Sequence, residues 1–229
     1  MNKVFIIGLP RTGTTSISVA LLDYDFKVAH TAYTKQAFQL ADVVSDAPCF
    51  SDYKQLDKLF PDSKFIYLDR EFAGWIPSIQ MLLNKMRTNL DLKTGVFNPV
   101  LKRSFNDVFS LSTTSDPFSI EHLQSCYLTH KKAVIDYFAD RDDLLIINID
   151  HQGSLGELLH FIGVISDDIE TCCLDERLVG LENKEKRLSN LSFPHLNKGK
   201  HVADWREYKH PNKVNSNSAG KDRRQFFDY

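Results

Sequence analysis

Two glycines five positions apart, Gly8 and Gly13, stand between an apolar run and a hydroxyl-rich segment, Thr14-Thr15-Ser16. With Pro10, Arg11 and Thr12 between them they form a stretch suited to gripping an anion. Glycine lets the backbone turn where a side chain would clash, and successive N–H groups can then converge on one centre. A helix that starts at Thr14 adds its unpaired first-turn N–H groups and the positive end of its dipole. Thr12, Thr14, Thr15 and Ser16 supply hydroxyl donors, and Arg11 is the one cation in the loop. The chemistry this pattern serves is retention of a phosphate or sulfate group.

Such a loop needs a strand to enter it and a helix to leave it. Val4 to Ile7 is short, apolar and β-branched, as in a buried central strand. Thr14 to Leu22 reads as the helix. Further strands are expected at Phe26–Ala29, Asp42–Ser45, Lys64–Leu68 and Leu144–Ile149. Helices are expected at Gln36–Leu40, Ser51–Phe60, Phe72–Leu90, Phe118–Phe138, with Asp116 as cap and Pro117 at the first position, and Leu155–Ile162. Strands alternating with helices predict an α/β fold. It is a single domain with a mostly parallel sheet flanked by helices, and ligands bind at the carboxyl ends of its strands. The stretch from Leu92 to Pro117 is irregular. Its phenylalanines, with Phe118, could form a lid or acceptor wall, or equally pack in the core.

The chain has 229 residues, enough for one such domain with a substantial core. Hydrophobic residues at 42% and charged residues at 25% are ordinary globular usage. A formal net charge of −2 argues against a nucleic-acid partner. No apolar run reaches membrane-span length, and the start lacks the pattern of a secretory signal. Four cysteines without metal-type spacing fit reduced thiols in the cytoplasm. No histidine pair is spaced to hold a metal. Residues 1–210 are expected to form the domain, and the polar stretch 211–229 a loosely ordered tail. The oligomeric state is not encoded in any pattern here.

The glycine spacing matches the Walker phosphate loop, but the position of its lysine holds Thr14. A nucleoside-triphosphate enzyme uses that lysine, so a P-loop kinase with Asp69 as a magnesium ligand is a rival reading. A non-catalytic nucleotide-binding module is another.

Pro10-Arg11-Thr12-Gly13-Thr14-Thr15 resembles the 5'-phosphosulfate-binding loop of the sulfotransferase superfamily. The resemblance implies a P-loop-like fold and transfer of a sulfuryl group from 3'-phosphoadenosine 5'-phosphosulfate to a hydroxyl or amine of a small-molecule or glycan acceptor. Adenosine 3',5'-bisphosphate would be the other product, and no metal would be required. Lys64 to Arg70, continuing to Ser78, resembles the family's 3'-phosphate-binding strand and helix, which implies that Arg70 and Ser78 hold that group. Val43 to Pro48 lies where family members carry the general base, which implies Asp46 as base, with His30 behind it. Asn197-Lys198-Gly199-Lys200 resembles a late loop that closes over the 3'-phosphate, which implies Lys198 and Gly199 as ligands. The match departs from the pattern at Val44 and Asn197. Arg11, on the same resemblance, is a catalytic clamp for the leaving phosphate, and the loop from Arg11 to Ser16 is the donor-binding segment.

Overall fold

The computed structural model describes residues 2–165, 191–194, 205–221 and 225–229. Its strands are β1 (Val4–Ile6), β2 (Val28–His30), β3 (Val43–Ser45), β4 (Lys64–Leu68) and β5 (Leu144–Ile147). They form one parallel sheet in the order β2-β3-β1-β4-β5. The helices are α1 (Thr14–Leu22), α2 (Lys35–Leu40), α3 (Cys49–Leu59), α4 (Phe72–Leu90), α5 (Pro99–Phe109), α6 (Ile120–Tyr137) and α7 (Ser154–Phe161). This is the α/β architecture expected of a P-loop-like sulfotransferase fold.

Side-chain alternation along each strand divides the core between the two faces of the sheet. Val4 and Ile6 of β1 join Ile66 and Leu68 of β4 against α1 and α7, where Ile17, Leu21, Leu158 and Leu159 are buried. Phe5 and Ile7 join Phe65 and Tyr67 on the other face, against Ala37 and Phe38 of α2, Leu56 of α3 and Val134 of α6. Because both faces are covered, the strands read as unbroken apolar runs. A third cluster, with Leu9, Ala47, Trp75, Phe105 and Tyr127, binds α4, α5 and α6 to the loops at the carboxyl edge.

Two expectations are corrected. The irregular stretch contains α5, capped by the Asn98 side chain accepting from Val100 N at 2.9 Å, with Pro99 opening the helix. Its Phe105 and Phe109 are buried core residues, and Phe97 and Phe118 pack partly buried against the same cluster, which is the core-packing alternative of the two the sequence left open. The cap of α6 is Ser119, whose hydroxyl accepts from His122 N at 3.2 Å, three residues after the expected Asp116.

The C-terminal segment also differs from a loose tail in its described part. Val28 N donates to Asn212 O at 3.0 Å, Val214 N to Val28 O at 2.8 Å and Tyr33 N to Ser216 O at 2.9 Å. Backbone groups make these bonds, so the polar side chains gave no sign of them. Phe226 and Phe227 then cover Phe38, at ring separations of 6.1 and 5.3 Å. Lys198 and Gly199 lie outside the described residues.

Phe38 is fully buried among Phe5, Phe60, Phe226 and Phe227. Phe38→Ala is expected to cost ~3–5 kcal/mol in urea unfolding, the range for deleting a buried aromatic ring. Phe227→Ala, at the rim, should cost less.

Candidate functional site

The cradle follows β1 and runs into α1. Three successive carbonyls in it are held by hydrogen bonds. Leu9 O accepts from Thr12 Oγ1 at 2.6 Å, Pro10 O from Trp75 Nε1 at 2.9 Å, and Arg11 O from Arg70 Nη1 at 2.6 Å. Among the described residues, none of the amides of Gly13, Thr14, Thr15 and Ser16 donates to a protein acceptor. No side chain caps α1, and no acid stands in its first turn. The helix end is therefore left with the donors and field that attract an anion. Gly13 has φ 113°, and a Cβ there would meet Ile149 Cδ1 at 2.3 Å. At Gly8 a Cβ would meet the Leu68 backbone and Cβ at 2.7 Å, which is why β1 can approach β4 so closely.

Two further residues close on the loop from β4 and α4. Arg70 follows β4 and lies back over the first turn of α4, where a Cβ on Gly74 would stand 3.3 Å from Arg70 Nη2. Ser78, two turns along α4, accepts from Arg11 Nε at 2.8 Å. The sequence-nominated Arg11, Arg70 and Ser78 are thus brought together. Burial lowers the Arg11 pKa first, the neighbouring Arg70 charge lowers it further, and Asp46 partly offsets both. Two guanidinium groups this close repel each other, and a bound anion would relieve that.

The wall behind them went unnoticed in the sequence. Tyr127 of α6 accepts from Arg70 N at 2.8 Å and donates to Asp69 Oδ1 at 2.7 Å. Lys131 pairs with the other oxygen of Asp69 at 2.7 Å. Asp69 is therefore occupied as a bracket between β4 and α6, which removes the carboxylate that a magnesium-dependent rival would need. Trp75 could have been noticed, because a buried indole must find an acceptor for its N–H.

On the other side of the cradle, β2 ends in His30 and β3 is followed at once by Asp46. The strands lie side by side with His30 opposite Ser45. His30 Nε2 stands 3.6 Å from Asp46 Oδ2, with the two side chains 12% and 18% exposed. A pair this sheltered from water is screened far less than a surface ion pair. Thr15 Oγ1 lies 3.5 Å from the same nitrogen, and Trp205 sits against the ring at 5.3 Å. Tyr33 borders this corner. Burial pushes its pKa up to about 12, and the nearby Asp46 charge adds to the rise. Arg11, Thr31 and Asp46 all hold positive φ, at 72°, 77° and 58°, in the loops at the carboxyl edge. Such backbone settings cost roughly 1–3 kcal/mol each and gather at functional sites. For β-branched Thr31 the setting is a true outlier.

A family model described as a sulfotransferase domain matches residues 31–202, more than half of the chain. The chain belongs to the sulfotransferase family. In this sulfotransferase the matched segment takes in Asp46, Arg70 and Ser78, and the cradle precedes it. No curated protein matches the chain. Among the described residues of this family member, no group of three or more His, Cys, Asp and Glu is placed to hold a metal ion. No described helix is long and apolar enough to cross a membrane.

At Gly13 the methyl of an alanine would push the flexible tip of Ile149, which can move, but the left-handed backbone setting cannot be relieved. Gly13→Ala is expected to cost ~1–2 kcal/mol in thermal unfolding and to weaken anion binding by calorimetry. Adding Ile149→Ala should not recover it.

Proposed function

We propose that this sulfotransferase moves a sulfuryl group from 3'-phosphoadenosine 5'-phosphosulfate to a hydroxyl or amine of a small-molecule or glycan acceptor. The observation that carries the reading is the junction of Arg11, Arg70 and Ser78 on an uncapped helix N-terminus. Two arginines beside a ring of idle amides suit a donor that carries a phosphosulfate at one end and a second phosphate at the other. Loss of Walker lysine at Thr14, and the bracketing of Asp69, disfavour a kinase. A purely binding module would not need the His30–Asp46 pair.

The donor supplies the activated sulfuryl group, and the chain's residues do the rest. Amides of Gly13 to Ser16 and the hydroxyls of Thr14, Thr15 and Ser16 hold the 5' end, while Thr12, whose hydroxyl hydrogen goes to Leu9 O, shapes the turn instead of donating to the anion. Arg70 and Ser78 hold the 3'-phosphate, with Lys198 and Gly199 as further ligands. The acceptor O–H bond breaks, its oxygen forms the new bond to sulfur, and the sulfur–oxygen bond to the 5'-phosphate breaks. The proton passes to the pair formed by Asp46 and His30. The electron pair leaves with the 5'-phosphate, where Arg11 meets the growing charge. Arg11 acts there as a fixed charge, since guanidinium does not give up a proton in proteins. Such fixed donors aimed at developing charge form the largest single contribution in many enzymes. Free thiols at Cys49 and Cys126 suit a reducing cytoplasm.

Calorimetry with adenosine 3',5'-bisphosphate and with the 5'-monophosphate tests the nucleotide assignment. Arg70→Ala should weaken the bisphosphate about 10–100-fold, as expected for a lost hydrogen bond between charged groups, and the monophosphate little. Equal losses on both would reject the 3'-phosphate role. Asp46→Asn should lower kcat about 10²–10⁴-fold, the worth of general-base help. Turnover near that of the parent enzyme would remove Asp46 from the mechanism.

A further inference from the structure

Two buried serines beside the cradle have hydrogens whose directions can be worked out one after another. Ser18 of α1 and Ser45 of β3 are both fully buried. Ser18 Oγ lies 2.6 Å from the carbonyl oxygen of Thr14. A carbonyl can only accept, so the single hydroxyl hydrogen of Ser18 is committed there. Ser45 Oγ lies 2.7 Å from Ser18 Oγ, and with Ser18's hydrogen spent, Ser45 must be the donor. That commits the hydrogen of Ser45. At 2.8 Å, His30 Nδ1 must therefore donate to Ser45 Oγ. The longer 3.4 Å approach of Ser18 Oγ to Nδ1 agrees, because Ser18 has only a lone pair left to offer. The row ends on a peptide carbonyl, which has no proton to pass on.

We propose that Ser18 and Ser45 are positioning residues that lock the ring proton of His30 on Nδ1, leaving Nε2, beside Asp46, as the nitrogen that gains and loses a proton. The proposal rests on the reading of His30 and Asp46 as the proton-accepting pair. A neutral histidine can carry its proton on either nitrogen, and the hydrogen bond made by one nitrogen decides what the other can do. With the opposite tautomer, Nε2–H would point a donor at the acceptor's own O–H proton and the ring could not receive it. Among the described residues, the groups around the ring include Thr15 and Ser18 from α1, Ser45 and Asp46 from the β3 end, and the Trp205 indole. Arg11 and Tyr33 lie within electrostatic reach of Asp46. Of the groups in that circle, the two serines are the ones aimed at Nδ1. Both are fully buried, with their hydroxyls on Thr14 O, each other and His30, so their role is exerted through His30.

The test uses the full-length chain with histidine labelled in 15N, followed by two-bond 1H–15N correlation as the pH is raised in steps. His30 is expected to lose the proton on Nε2 and keep the one on Nδ1. Ser45→Ala should introduce the Nε2–H tautomer and lower kcat about 10–100-fold, a fraction of the general-base contribution, with KM for the donor unchanged. Ser45→Thr, which keeps a hydroxyl, should restore both readings. Ser18→Ala should move them in the same direction as Ser45→Ala but less far. Finding Nε2–H in the parent protein overturns the proposal, and so does an unchanged kcat in Ser45→Ala. If Ser45→Ala fails to fold, the parent spectrum and Ser18→Ala decide the matter. The spectrum needs no donor, so failure of sulfuryl transfer as the activity would be recognised separately from failure of the lock.

Discussion

The holding of three adjacent carbonyls is the constraint from which the site follows. Pro10 O, held by Trp75, turns the Arg11 N–H the other way, and Leu9 O, which precedes a proline with no N–H, takes both the hydroxyl and the amide of Thr12. By fixing Leu9 O, Pro10 O and Arg11 O, the protein sets the direction of the loop before any ligand arrives. Thr12 holds Leu9 O from within the loop, but the donors to Pro10 O and Arg11 O, Trp75 and Arg70, come from α4 and the end of β4, elements more than fifty residues along the chain. The sheet order is what makes this possible, since β4 lies directly beside β1. The shape of the cradle is therefore a property of long-range packing as much as of a short motif. It costs less reorganisation than a floppy loop would, which is the benefit of preorganisation.

Charge is handled with similar economy. The chain as a whole is close to neutral, yet Arg11 and Arg70 meet at one point, and the α1 N-terminus adds its field there. On the far side of the cradle stand a carboxylate and an imidazole, sheltered by Trp205 and the sheet. Cations and the His30–Asp46 pair occupy opposite flanks of the same loop. The proposed in-line transfer calls for that layout, with the leaving side positive and the attacking side basic.

Much of the fold was legible because buried parallel strands and amphipathic helices leave strong periodic marks. The cradle was legible because its glycines sit between a strand and a helix. Arg70 and Ser78 were legible through family resemblance and their eight-residue spacing. What was hidden depends on pairing between distant segments. His30 was nominated as a secondary base, but its contact with Asp46 follows from β2 lying beside β3 in a particular register, which no local pattern encodes. The bracket of Tyr127 and Lys131 on Asp69 is of the same kind. Helix α5 was hidden for a different reason. Its apolar residues, Val100, Leu101, Phe105, Val108 and Phe109, lie between a turn-forming segment with Gly95 and Asn98 and a run of Ser and Thr, and tertiary packing of Phe105 and Phe109 decides its form. Composition misled at the C-terminus, where backbone bonds outweigh polar side chains.

That C-terminal segment carries one more implication. β2 stands at the outer margin of the sheet, where a row of unmatched peptide groups would otherwise invite another polypeptide to add on. Asn212 to Val214 occupy part of that row, bridging Val28 through Lys213 in parallel fashion. The chain thus uses its own end as a selvage, finishing the fabric of the sheet so that it does not fray into aggregation.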